Sequence, residues 1–233
     1  NIIANILSCH KKTHSTSGNY NNLLGLPLTL FKLNDSHEYG VFEVGASYVG
    51  EIARLSEILC PDVAIITNAG ASHVENMGGS VDAVAKEKGS LISGLSSNGV
   101  AVINCDDKFA PYWESILGAR QWFGFSMNKN VNPKLKMHNC LGIYTADNII
   151  QTKSGYDFVI LCHDYNLKVS TNLLGQHNIV NALAAVVAAK AVGVPDDSIQ
   201  TGLAMTKPEN GRLKCYGVGD RLLIDDSYNA NPQ

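Results

Sequence analysis

Over the first two-thirds of the chain, short runs of β-branched and aromatic residues alternate with stretches whose apolar positions recur every three or four residues. The runs at 39–44, 63–67, 100–104 and 121–125 predict strands, and the stretches at 22–33, 50–59, 81–95 and 108–117 predict helices. A further helical pattern opens the chain at 1–8. Strand and helix in strict alternation is the pattern of βαβ units. The expected fold class is therefore α/β, a doubly wound, mostly parallel sheet with helices on both faces.

The period changes between 134 and 174. Runs at 157–163 and 167–172 alternate apolar and polar residues and are punctuated by Ser154-Gly155 and Asp164, which predicts a small antiparallel sheet. An Ala-rich apolar helix is expected at 178–192. A second follows at 195–205, opened by Pro195, whose fixed φ suits a first turn. Lys207-Pro208 marks the expected domain boundary, with 1–207 as one domain and 208–233 as the start of another carrying strands at 214–218 and 221–225. The chain opens without Met inside a helical pattern and stops just after a strand, so both ends are expected to be cuts in a longer polypeptide.

Composition narrows the function classes. The 233 residues carry a net charge of -3 with acids and bases interspersed. No basic face is offered to a nucleic-acid backbone or an anionic membrane. No apolar stretch reaches the roughly 20 residues of a membrane span, and no signal peptide is legible. The six cysteines form no C-x-x-C pair, which argues against a zinc site or a disulfide framework and fits a reducing cytoplasm.

In an open parallel sheet, ligands collect at the carboxyl ends of the strands. The strand at 39–44 carries Glu43 near its end, and a carboxylate on a buried strand is costly unless it is paired or holds a cation. The strand at 63–67 runs into Asn68-Ala69-Gly70-Ala71-Ser72-His73, which brings His73 out at the same expected edge. Lys86-Glu87-Lys88 follows on a helix and by spacing alone reads as a solvated face. Asn178 and Asn181 share one helix face, behind Gly175 and His177. A helix start offers free N–H groups, and Asn can both donate and accept toward a heterocycle, or simply cap the helix. Asp225-Asp226 after the last strand suits a ribose, phosphate or metal contact, or a turn.

The order of these clusters is informative. Asn19-x-Asn21-Asn22-x-x-Gly25-x-Pro27, Glu43-x-Gly45-Ala46 with Gly50-Glu51-Ile52, Asn68 to His73 and Ala85 to Gly89 come first. Gly175-x-His177-Asn178-x-x-Asn181-Ala182, Gly211-Arg212-Leu213 and Asp225 to Pro232 complete the set. Together they resemble the Mur ligase family over nearly the whole chain. Within that family the chain is most similar to members that add D-alanyl-D-alanine to UDP-N-acetylmuramoyl-tripeptide. Folylpolyglutamate synthase-like ligases share the fold but lack the Asn-Asn-x-x-Gly-x-Pro run. A nucleotide-binding module without catalysis is the alternative from another class.

The resemblance implies an ATP-dependent amide ligase of peptidoglycan synthesis, acting as a monomer through an acyl phosphate. It assigns Glu43 to one Mg²⁺ and His73 to a second, where Mn²⁺ is an alternative because imidazole is a softer donor than Mg²⁺ prefers. It makes Lys88 the lysine that such ligases carbamylate, with Lys86 as the local alternative. It gives His177, Asn178, Asn181, Arg212 and Asp226 to the nucleotide, and Asn21 and Asn22 to the UDP-linked peptide. Two departures stand out. The family's phosphate loop should precede Asn1 and no Gly-Lys-Ser/Thr occurs in the chain, so this stretch alone is not expected to turn over ATP. The family also commonly has Asn-His where this chain has Ser47-Tyr48.

Overall fold

The computed structural model describes residues 1–70, 74–218 and 221–228. Helix α1 (Ile2–Ser8) leads into strand β1 (Thr13–Ser15), which sequence patterning did not reveal; α2 (Gly25–Leu30) then precedes β2 (Tyr39–Val41). β1 and β2 pair in parallel, Thr13 opposite Tyr39. The chain continues through α3 (Glu51–Leu59), β3 (Val63–Ile66), α4 (Val81–Gly89) with a 3₁₀ turn over Ser90–Gly94, β4 (Val100–Asn104), α5 (Ala110–Ser115) and β5 (Trp122–Ser126). After these come β6 (Cys140–Gln151), β7 (Tyr156–Cys162), β8 (Tyr165–Thr171), α6 (His177–Ala191), α7 (Asp196–Met205), β9 (Lys214–Val218) and β10 (Arg221–Asp225).

β3 to β8 form one six-stranded sheet in sequence order. The pairs from β3 to β6 are parallel, and β6–β7 and β7–β8 are antiparallel. The expected antiparallel sheet is therefore an extension of the parallel one, through the long strand β6. Two further expectations shift. The strand at 39–44 ends at Val41, and it joins β1 in a two-stranded sheet of its own rather than the edge of the sheet that holds β3.

Helices cover both faces of the six-stranded sheet, and β4 shows how the sequence specifies this. Val102 belongs to one apolar cluster, with Ile6 of α1, Leu183 of α6 and Leu203 of α7; Ala101 and Ile103 belong to the other, with Ala85 of α4 and Trp113 of α5. A strand buried on both sides reads as an unbroken apolar run, as Val100 to Ile103 does. The Ala-rich α6 is buried from Ala182 to Ala189, its small side chains letting it lie close to the strands.

Burial also governs the thiols. It pushes the Cys105 thiol, just past β4, up to about 12, so the reactive thiolate is scarce there at pH 8. Cys9 and Cys60 are exposed. Brief treatment with iodoacetamide at pH 8, read by peptide mass spectrometry, should label Cys9 and Cys60 and leave Cys105 untouched until the chain is unfolded. Early labelling of Cys105 would contradict the packing described.

Candidate active site

A cleft of about 530 Å³ opens between α2, the Glu43–Tyr48 segment, α4 and the loop after β3. Its polar wall holds Asn21, Asn22, Glu43, Asn68 and Lys88, and Leu24 and Tyr48 stand at its apolar rim. Four of the expected site residues thus meet in one cavity. Ala71, Ser72 and His73 lie outside the described residues, so the expected place of His73 beside Glu43 goes without a structural account.

The Glu43 carboxylate needs no compensation for burial, because the residue is exposed beyond the end of β2. The expectation of a costly carboxylate on a buried strand is corrected accordingly. Glu43 Oε1 accepts from Asn21 Nδ2 at 2.8 Å, and the Asn21 carbonyl accepts the Gly45 N–H, also at 2.8 Å. Among the described residues no cation pairs with Glu43. Asn22 does different work: its Oδ1 accepts the N–H groups of Leu24 and Gly25 at 3.1 and 2.8 Å, starting α2. The Asn-Asn pair therefore divides, one amide bracing a carboxylate and the other ordering a helix, which leaves Asn21 Oδ1 and Asn22 Nδ2 for a ligand.

Lys88 is partly buried, and its Nζ donates to the Asn68 carbonyl at 2.7 Å. Burial holds its amine below the ordinary lysine range, and the Asp107 charge acts in the opposite sense. Lys86 is exposed. The middle residue of the Lys-Glu-Lys triplet corrects the solvated-face reading: Glu87 is 5 % exposed. The loop after β3 is pinned from β4, since Asn104 Nδ2 donates to the Thr67 carbonyl and Asp107 Oδ2 accepts the Ala69 N–H, both at 2.8 Å. At the cleft mouth, Glu51 Oε2 accepts the N–H groups of Ser47 and Tyr48 at 2.7 and 3.0 Å. That turn is held through backbone, so the departure at Ser47-Tyr48 leaves its fold intact.

The second group of residues gathers around the start of α6. Gly175 has φ +91°, and a Cβ there would come within 2.5 Å of the His177 ring and 3.0 Å of Leu213 Cδ1. The 211–213 turn is thereby brought against the helix start. Asn178 Nδ2 donates to the Leu174 carbonyl at 2.7 Å and its Oδ1 accepts from Asn181 Nδ2 at 3.2 Å. Asn181 and His177 remain exposed. Arg212 lies 4.8 Å over the Tyr228 ring, and Asp226 Oδ1 accepts the Leu213 N–H at 3.2 Å.

A Mur ligase middle-domain model matches residues 1–189. The chain belongs to the Mur ligase family. It is 39% identical over 231 residues to the UDP-N-acetylmuramoyl-tripeptide--D-alanyl-D-alanine ligase of Escherichia coli (strain K12), covering 99% of this chain and 49% of that protein. Its likeness to the enzyme of the same name from Bacillus subtilis (strain 168) is 30% over 233 residues, 99% of this chain and 47% of that one. Among solved structures, MurF from Acinetobacter baumannii superposes with a TM-score of 0.89 at 32% identity, over 99% of this chain and 48% of that one. The MurF ligase of Thermotoga maritima in complex with ADP gives 0.81 at 25% identity, over 99% and 50%. An FPGS variant of L. casei shares the fold alone, at 16% identity and a TM-score of 0.67. The chain thus spans about half the length of the relatives it matches.

Sequence pattern assigns no separate role to Glu51, Glu87, Asn104 and Asp107, whose bonds shape the cleft. One sequence feature leaves room for an outside cap without naming its source: α3 starts at Gly50-Glu51, where no side chain that ordinarily caps a helix stands. A helix start without its own cap needs one from elsewhere.

Proposed function

We propose that this chain is the ATP-binding portion of a ligase that joins D-alanyl-D-alanine to UDP-N-acetylmuramoyl-tripeptide in peptidoglycan synthesis. The observation that carries the reading is the cleft in which the Asn21–Glu43 pair faces the half-buried Lys88 amine. The names of the relatives supply the substrates, and the ADP complex of one of them supplies the nucleotide class.

The donor set fits a hard divalent cation. Glu43 offers an oxygen that no protein cation neutralises among the described residues, and Mg²⁺ is ordinarily held by one or two carboxylates plus waters and substrate phosphates. ATP with Mg²⁺, when bound, supplies the γ-phosphoryl group that turns the peptide carboxylate into an acyl phosphate open to the incoming amine. Asn21 holds the Glu43 carboxylate at the cleft wall by one oxygen and leaves the other for the cation. Lys88 cannot ligate a cation as an ammonium; burial favours its neutral amine, the form that combines with CO₂ and releases a proton to solvent to give an anionic oxygen donor. His73 is assigned to the second cation by the family resemblance alone. His177, Asn178 and Asn181 at the start of α6, with Arg212 and Asp226 around Leu213, form the proposed nucleotide contacts.

Phosphate release by the intact protein tests this. It should require UDP-linked tripeptide, D-alanyl-D-alanine, ATP and Mg²⁺ together, with none of the four dispensable. Equal turnover with glutamate and a folate in their place would transfer the assignment to the folylpolyglutamate synthase-like class.

A further inference from the structure

The start of α3 is capped from another helix. Gly50, in the left-handed region with φ +90°, precedes the helix and provides no side-chain bond to it. Glu87 of α4 does so instead, its Oε2 accepting the Gly50 N–H and its Oε1 the Ile52 N–H, both at 2.8 Å. A buried carboxylate between two N–H groups at the positive end of a helix is satisfied in hydrogen bonds and in charge. From the other side, Trp113 Nε1 donates to the Ala85 carbonyl at 2.9 Å and fixes α4 against α5.

These two anchors decide which way α4 faces. Successive residues of a helix point about 100° apart, so with Glu87 locked onto α3, Lys88 is turned into the cleft and Lys86 out to solvent. The same carboxylate holds the end of the Ser47–Gly50 turn, while Glu51 holds its beginning. Two walls of the cleft, the turn and α4, are therefore fastened to each other through a single side chain outside the cleft lining.

We propose that Glu87 is a positioning residue for the reaction, clamping the 47–52 turn to α4 so that Lys88 stays aimed into the cleft. This rests on the ligase reading above. It adds a residue that touches no reactant and acts through the direction of its neighbour.

The test uses the intact protein with Glu87→Gln, which keeps volume but sets an NH₂ group against one of the two backbone donors, and Glu87→Asp, which keeps charge but shortens the reach. Three readouts are taken: kcat and KM for ATP, amide hydrogen exchange over 47–52, and acetylation of Lys88 relative to Lys86 by acetic anhydride. In the Gln variant kcat should fall by about tenfold or more with KM for ATP little changed, the size expected of a misplaced group in a preorganised site. Exchange over 47–52 and acetylation of Lys88 should each rise severalfold, with Lys86 unaltered. The Asp variant should fall between. If kcat holds while exchange accelerates, or if Lys88 stays protected in both variants, Glu87 is only a helix cap and the proposal is overturned. Should the unaltered protein show no ligase turnover, the functional reading fails, and the exchange and acetylation results still decide whether Glu87 aims Lys88.

Discussion

Lys88→Ala should abolish ligation in the intact protein, whereas Lys86→Ala should leave most of it. The two residues are 200° apart on α4 by helical geometry, and the structure puts the amine of Lys88 on the Asn68 carbonyl at the cleft and leaves Lys86 in solvent. The expected loss at Lys88 is about a hundredfold or more in kcat, because the group acts on charge that develops at the reacting centre. Added short-chain carboxylate should restore part of the activity of Lys88→Ala by placing oxygens where the carbamate would stand. Steady-state phosphate release across a formate or acetate titration is the measurement. A dead, rescuable Lys86→Ala would move the assignment by two residues, and a Lys88→Ala variant with normal turnover would remove lysine from the mechanism.

The surroundings explain why Lys88 suits that chemistry. Its amine lies below the ordinary lysine range through burial, opposed by the charge of Asp107. Carbamylation consumes the neutral amine, so the balance between burial and Asp107 sets how much of it exists near neutral pH.

The parts of this molecule that were legible in the sequence are those in which a periodicity or a motif carries its own physical cause. The run from Val100 to Ile103 announces a strand covered on both faces, and β4 is one. Alternation at 157–163 announces a strand with two unlike faces, and β7 shows it, with Tyr156, Phe158, Ile160 and Cys162 buried between less buried neighbours. β1 could not be read in this way: three residues, Thr-His-Ser, all half-buried, have no apolar face to repeat. The end of β2 was overextended because Phe42 and Val44 continue an apolar alternation that the backbone does not follow; Glu43 instead turns to Asn21. Glu87 was illegible for a different reason. Flanked by two lysines it carries the local signature of a solvated face, and only the distant, capless start of α3 explains its burial. Distant backbone partners leave no trace in a local charge pattern, and the bonds of Asn104 to the Thr67 carbonyl and of Asp107 to the Ala69 N–H are illegible for the same reason.

A single methyl group at Gly202 should destabilise the fold more than any change at the helix surface. α7 lies against α1 so closely that a Cβ at Gly202 would stand 2.4 Å from Ile6 Cα and 2.8 Å from Ile6 N. Both atoms are backbone, so no rotamer change can relieve the overlap, and the helices must separate. Separation would strain the bond from Asn5 Nδ2 to Thr206 Oγ1, 3.1 Å long, and loosen Ile6 from the cluster it shares with Ile199 and Leu203. Alanine gains about 1 kcal/mol over glycine in intrinsic helix preference. Overpacking of a rigid contact costs about 1–3 kcal/mol and occasionally more. A backbone overlap belongs at the upper end of that range, so the net loss for Gly202→Ala is about 2 kcal/mol. For a chain of this length that lowers the thermal midpoint by roughly 4–8 °C. Met205→Ala, on the same helix but 65 % exposed, should change it by no more than about 1–2 °C. Thermal unfolding followed by circular dichroism decides between them. A midpoint that rises in Gly202→Ala would mean that helix preference outweighs the contact and that α1 and α7 yield to each other at little cost.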